Sequence, residues 1–189
     1  MAALCLTSAK ADAAALETCL RQIAARDTAA LAELYRRTSA AVYGFSLSIV
    51  KNAHDAEDIL HDCYLSVYSS AAGYRPDGKP MAWLFTIARN LCLMRLRERG
   101  RSEPLPDGDW PAAPGADGTA GREDRLVLDV CLGQLSDEER QIVVLHAVAG
   151  FRHREIAALL ELPLPTVLSK YSRALKKLKA LLTKGERTE

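Results

Sequence analysis

A chain of 189 residues has room for one ordinary domain or two small helical ones. Apolar residues make up 49% of it but aromatics only 6%, with Ala and Leu abundant, which disfavours a sheet sandwich and makes an all-α fold the expectation. The 25 Lys+Arg and 24 Asp+Glu nearly cancel, and the five scattered cysteines include no CxxC pair and cannot all pair within the chain; with no charged leader and no apolar run near the roughly 18 residues of a membrane span, a reduced, soluble, cytoplasmic protein is expected.

In chain order, residues 1–26 are Ala-rich, with a weak helical pattern at Leu16, Leu20 and Ile23, and are expected to form a partly helical extension. After Asp27-Thr28, the spacing of Leu31, Leu34, Tyr35, Val42, Phe45 and Ile49 predicts an amphipathic helix that stops at Asn52. A second helix starts near Asp55, read as the cap for the Asp58 amide, with Ile59, Leu60, Cys63, Tyr64, Val67 and Tyr68 on one face. Its other face carries Glu57, Asp58, His61 and Asp62. Two Gly and two Pro make residues 73–80 a loop, and a third helix follows from about Met81 to Arg99 on a stripe of Trp83, Leu84, Ile87, Leu91 and Met94.

Residues 100–122 hold five Gly and four Pro with few large apolar side chains, too little for a core, so a flexible linker is expected over 102–124 between domains at 27–101 and 125–184, followed by a tail at 185–189. The second domain opens with a helix from about Arg125 to Gly133. Ser136-Asp-Glu-Glu139 then reads as a capping box for a helix through Ile142, Val143, Leu145 and Val148, ended by Gly150. A short helix over 153–161, a tight turn at Glu161–Pro163 and a last helix from about Pro165 to Leu182 have the outline of a helix-turn-helix.

Charge is distributed in blocks. Residues 163–184 carry six cations and no acid, and 89–101 carry five Arg against Glu98. The spacer from Glu103 to Asp124 is acidic, with six acids and one Arg. Two basic patches flanking an acidic spacer suit a chain that touches nucleic acid at two places. In a major groove the start of the last helix meets base edges, which singles out Thr166, Ser169, Lys170 and Arg173, with Lys176 and Lys177 suited to phosphates. The acidic face of the second helix suits a basic protein surface.

The string Leu135-Ser-Asp-Glu-Glu-Arg-Gln-Ile-Val-Val-Leu145, followed by Arg154-Glu-Ile-Ala-Ala-Leu-Leu160, resembles the fourth region of extracytoplasmic-function (ECF) sigma factors of the sigma-70 family. Leu31-Ala-Glu-Leu-Tyr-Arg-Arg37, Ala56-Glu-Asp-Ile-Leu-His-Asp62 and Trp83-Leu-Phe-Thr-Ile-Ala-Arg-Asn90 resemble its second region, in order and at sensible spacing. The resemblance implies that Glu57, Asp58, His61 and Asp62 dock on the clamp helices of the RNA polymerase largest subunit. It further implies that the loop and following helix, through Tyr74, Arg75, Lys79, Trp83, Arg89, Asn90, Arg95 and Arg97, capture a flipped base of the minus-ten promoter element, Trp83 fitting either that pocket or the core. The second domain would bind the minus-thirty-five element, and an anti-sigma factor is an expected partner.

Four residues depart from the family pattern: Glu161 for a turn Gly, Pro163 for a capping Ser, Leu168 for a Lys after the Thr-Val pair, and Met94 for an Asp. Glu161, Pro163 and Leu168 leave open a sigma-like interaction protein that does not initiate; a stand-alone helix-turn-helix regulator is the other alternative, against which the matches at Ala56–Asp62 and Trp83–Asn90 count. An enzyme is not expected: there is no Walker loop, dinucleotide glycine motif or nucleophile elbow, and neither a small-molecule substrate nor a cofactor is called for. His54, Asp58 and His61 fall on one helix face at metal-compatible spacing, but no further ligand completes a site, so no metal is assigned.

Overall fold

The computed structural model describes residues 2–102 and 132–185, and among them are seven α-helices, one short 3-10 turn and no strand. The linker expected over 102–124 and the helix expected from Arg125 lie outside the described residues, apart from Ser102 at the end of a helix and the helical Leu132 and Gly133.

The N-terminal extension is a full helix, α1 (Ala2–Ala24), which buries Leu16, Cys19, Leu20 and Ile23 in the core. Its Ala-rich composition weakened the hydrophobic signal while leaving helix propensity high. Asp27 caps α2 (Thr28–Val50), accepting from the Ala29 amide at 2.8 Å and the Ala30 amide at 3.3 Å. That helix ends on Lys51 in the left-handed region, φ 53°. Asn52 therefore starts rather than stops a helix: its side chain accepts from the Asp55 amide at 3.0 Å and caps α3 (Ala53–Ser70). Asp55, expected as that cap, is the third residue inside, where its carboxylate meets Arg95 and Arg99.

A 3-10 turn (Ala71–Gly73) and a loop lead to α4 (Pro80–Ser102), with Pro80 at the first position, where its missing N–H costs nothing. Three residues expected in apolar stripes are exposed. Tyr35 tilts against the Tyr64 ring from outside, at 4.8 Å between centroids. Met94 is displaced because Cys92 and Leu96 take the inward positions there, and Val148 sits where the chain leaves its helix.

In the second domain, Ser136 and Glu139 form the expected capping box at the start of α5 (Asp137–Ala147). The next helix, α6 (His153–Leu160), ends on Glu161 with φ 58°, and α7 (Leu164–Gly185) follows. A non-Gly residue there costs on the order of 1 kcal/mol. The Pro163 carbonyl accepts from the Thr166 amide at 2.9 Å, giving that amide a backbone partner in place of a side-chain cap, and from the Val167 amide at 3.1 Å as the first bond of the helix.

The two domains pack against each other. One core cluster runs from Leu34, Phe45 and Phe85 of the first to Val144, Leu145, Phe151 and Ile156 of the second. Phe85 is tilted on Phe45 at 5.1 Å and meets Phe151 edge-on at 5.2 Å, the aromatic geometry favoured by opposed quadrupoles. At Gly44 the α2 backbone passes α5 closely enough that an added Cβ would lie 3.8 Å from Val144 Cγ1. Burial of each such side chain contributes about 1.5–3 kcal/mol.

Candidate functional site

Because α3 turns Ala56, Ile59, Cys63, Tyr64 and Val67 into the core, its opposite face is left to solvent. Glu57 and His61 are exposed there and Asp58 and Asp62 half-buried, so the four residues do share one surface. Leu65, one turn beyond His61, is 54% exposed beside them. Sequence reasoning passed over it, although an apolar residue on the polar side of a helical pattern was the available signal. Asp58 is also tied inward, to Arg95 at 3.6 Å, and Arg95 reaches Asp55 at 3.3 Å. Two residues assigned to different partners thus pair with each other. His54 approaches Asp58 at 3.7 Å, but among the described residues no cluster of three His, Cys, Asp or Glu is placed to hold a metal ion.

The loop between the 3-10 turn and α4 is held from an unexpected side. Glu17 of α1 accepts from the Gly78 amide at 2.7 Å and from the Tyr74 hydroxyl at 3.3 Å. The Tyr74 ring packs on Trp83 with centroids 5.2 Å apart, and Trp83 is half-buried against the core, serving both the loop and the interior. Burial, then the nearby Glu17 and Asp77 charges, push the Tyr74 phenol up to about 12, so it is a neutral donor at physiological pH. Arg75 and Lys79 are exposed in the loop, and Asn90 and Arg97 are exposed about two and four turns beyond Trp83 along α4. Arg89 instead faces the second domain, 3.4 Å from Glu161.

On α7, Val167 and Ala174 are buried, while Ser169, Arg173 and Lys176 are exposed along the outward face and Thr166 is half-buried. Lys170 and Lys177 are bound within the domain: Lys170 pairs with Glu138 and Lys177 reaches Glu139 at 2.7 Å. Burial alone would raise the Glu139 carboxyl, but the Lys177 ammonium and the Ser136 hydrogen bonds outweigh it and hold it below the usual carboxylate range. Behind this helix His146, His153 and Tyr171 form a three-ring cluster, with the imidazoles stacked at 4.5 Å and Tyr171 at 4.8 Å from each. The His146 Nδ1 lies 2.8 Å from the Phe151 carbonyl, which can only accept, so that nitrogen is the protonated one.

Between the domains lies a cleft of about 130 Å³, lined by Ile49, Arg89 and Leu93 on one side and Glu138, Gln141, Leu160 and Leu162 on the other. Lys51 and Asp137 pair between the same two domains at 2.9 Å.

One helical domain with an acidic outer face and a second built on a basic helix-turn-helix define a two-domain helical transcription factor. The sigma-70 region 2 family matches residues 34–102 and the sigma-70 region 4 family matches 125–178. The ECF RNA polymerase sigma factor SigK of Mycobacterium sp. (strain KMS) is 32% identical over 174 residues, covering 88% of this chain and 90% of that protein. SigK of Mycobacterium bovis (strain BCG / Pasteur 1173P2) is 30% identical over 175 residues, with 88% and 93% covered. Among solved structures, CnrH in complex with the cytosolic domain of CnrY superposes with a TM-score of 0.62 at 26% identity, covering 90% of this chain and 98% of that one. RpoE in complex with the anti-sigma factor NepR from Bartonella quintana gives 0.65 at 26% identity, covering 80% and 95%. The chain belongs to the ECF sigma factors of the sigma-70 family. It is a transcription initiation factor and not an enzyme. Among the described residues no helix is long and apolar enough to cross a membrane.

Proposed function

We propose that the first domain docks on the clamp helices of the RNA polymerase largest subunit through Glu57, Asp58, His61, Asp62 and the adjacent Leu65. In the same proposal the Tyr74–Lys79 loop and the face of α4 bearing Trp83, Arg89, Asn90 and Arg97 take up the minus-ten element as it melts. The second domain binds the minus-thirty-five element through Thr166, Ser169 and Arg173, with Lys176 on phosphate. The observation that carries this reading is the joint exposure of acidic groups and a leucine on α3, since a partly desolvated charge ring around an apolar anchor is the usual anatomy of a protein-docking patch. Single-stranded DNA is held by aromatic platforms with flanking cations, which the Tyr74–Trp83 pair, Arg75 and Lys79 supply. Action with the polymerase places the protein in the cytoplasm, and an anti-sigma factor is its proposed regulator, by analogy with the RpoE–NepR pair.

Core polymerase reconstituted with this protein should start transcription at discrete genomic sites that share upstream elements. The double substitution Glu57→Ala, Asp62→Ala should abolish co-purification with core while leaving the fold intact. Retention of core binding by that variant would remove α3 from the reading.

A further inference from the structure

We propose that Leu168 determines promoter specificity by reading the 5-methyl group of a thymine in the minus-thirty-five element. The inference rests on the reading above, in which the start of α7 enters the major groove.

The core-facing side of α7 is occupied by Val167, Tyr171 and Ala174, which leaves Pro165, Leu168, Ser169, Ser172 and Arg173 outward in its first three turns. Leu168 is 47% exposed. Two polar neighbours are partly engaged by the helix itself: the Ser169 hydroxyl donates to the Thr166 carbonyl at 3.0 Å, and the Arg173 Nε donates to the Ser169 carbonyl at 3.4 Å. A leucine neither donates nor accepts a hydrogen bond. Of the features that base edges show in the major groove, the thymine methyl is the apolar one, and the N-terminal part of a recognition helix is the part that reaches it.

Nucleic acid is the occupant because of what surrounds the leucine. Arg173, Lys176 and Lys179 are exposed on α7, and residues 163–184 contain no acid, so the helix matches a phosphate-lined groove. The other leucine exposed among the described side chains of α7, Leu175, lies on the same flank but seven residues farther along, about 10 Å toward the C-terminus. That places it beyond the part of the helix that meets base edges. Leu168 therefore takes the place of a hydrogen-bonding side chain and exchanges a polar readout for an apolar one.

The test uses reconstituted holoenzyme and promoters mapped with it. Each thymine of the shared minus-thirty-five element is replaced in turn by deoxyuridine, which removes the methyl and nothing else, and binding is compared by competition. Wild-type holoenzyme should lose roughly fourfold in affinity at one position, the worth of one buried methyl-sized group. Holoenzyme carrying Leu168→Ala should bind thymine and deoxyuridine equally at that position, with an unchanged melting temperature because the side chain is exposed. If no thymine is sensitive, or the same one stays sensitive in Leu168→Ala, the leucine does not read the methyl, while promoter recognition by α7 stands. If binding is indifferent to the minus-thirty-five sequence altogether, the reading of α7 falls and this inference with it.

Discussion

Lys176 and Lys177 are adjacent cations on one helix, yet the structure gives them different work. Lys177 ends on the buried Glu139 carboxylate, which also closes the capping box of α5, whereas Lys176 projects into solvent. Removing the partner of a buried charge costs about 1–3 kcal/mol, while removing an exposed cation costs little in stability. Lys177→Ala should therefore lower the melting temperature of the isolated chain, and Lys176→Ala should leave it in place while reducing DNA affinity and the steepness of its salt dependence. Thermal denaturation and salt titrations of both variants check this. The three-ring cluster carries a pH consequence. Burial, and then the neighbouring His146, hold the His153 imidazole below its ordinary value. The unfolded chain then takes up a proton that the folded chain refuses, so stability is complete above about pH 6.5 and is lost as pH falls through that value toward the lower folded one. In His153→Phe, which keeps a ring against Tyr171 and His146, the fall in denaturation midpoint between pH 7.5 and 5.5 should be smaller than in the wild type.

At the scale of elements, α1 is more than a lead-in: its Glu17 is the acceptor that holds Gly78 and Tyr74 of the loop proposed for minus-ten capture. Glu17→Ala should leave the closed promoter complex intact and slow strand opening several-fold, read by permanganate reactivity of thymines in the minus-ten region, and Glu17→Gln should restore part of the rate because an amide oxygen still accepts both bonds. Undiminished opening in Glu17→Ala would mean the loop needs no such tether. This contact was not legible in the sequence, since 61 residues separate Glu17 from Gly78 and nothing in an Ala-rich segment marks one carboxylate as the acceptor. Helices defined by strong periodicity or by a side-chain cap were legible, as at Asp27 and at the Ser136–Glu139 box. Asn52 was misassigned because the same residue type that stops one helix starts the next. The acidic face of α3 was also legible, from spacing alone. The pairing of its Asp58 with Arg95 was not, because it depends on how α4 crosses α3.

The whole molecule presents a problem of reach. Compact chains of 189 residues have a radius of gyration of about 16 Å. Elements centred ten and thirty-five base pairs upstream are about 85 Å apart along B-form DNA at 3.4 Å per step. Domains packed through Phe85, Phe151 and Val144 cannot occupy both, so promoter binding as proposed requires them to part. Parting uncovers Arg89, now paired with Glu161 on the face proposed for the minus-ten element. What resists it is chiefly apolar: Lys51–Asp137 and Arg89–Glu161 are exposed pairs worth at most about 1 kcal/mol each, whereas the Phe151 contact belongs to a dry core. Raising salt should therefore leave the free protein closed, while Gly44→Glu, which sets a carboxylate against Val144, should open it. Fluorophores on cysteines introduced at Ser69 and Ser172, with Cys5 and Cys131 replaced by Ser and the buried Cys19 by Ala, would report the distance. Cys63 and Cys92 need no replacement, since both are fully buried and burial pushes their thiols up to about 12, which keeps them unreactive. Transfer efficiency should be high and unchanged from 0.1 to about 1 M salt, fall in Gly44→Glu, and fall in the wild type on adding core polymerase. A wild-type chain that opens in salt alone would show that the two ion pairs, rather than the aromatic contact, hold the domains together.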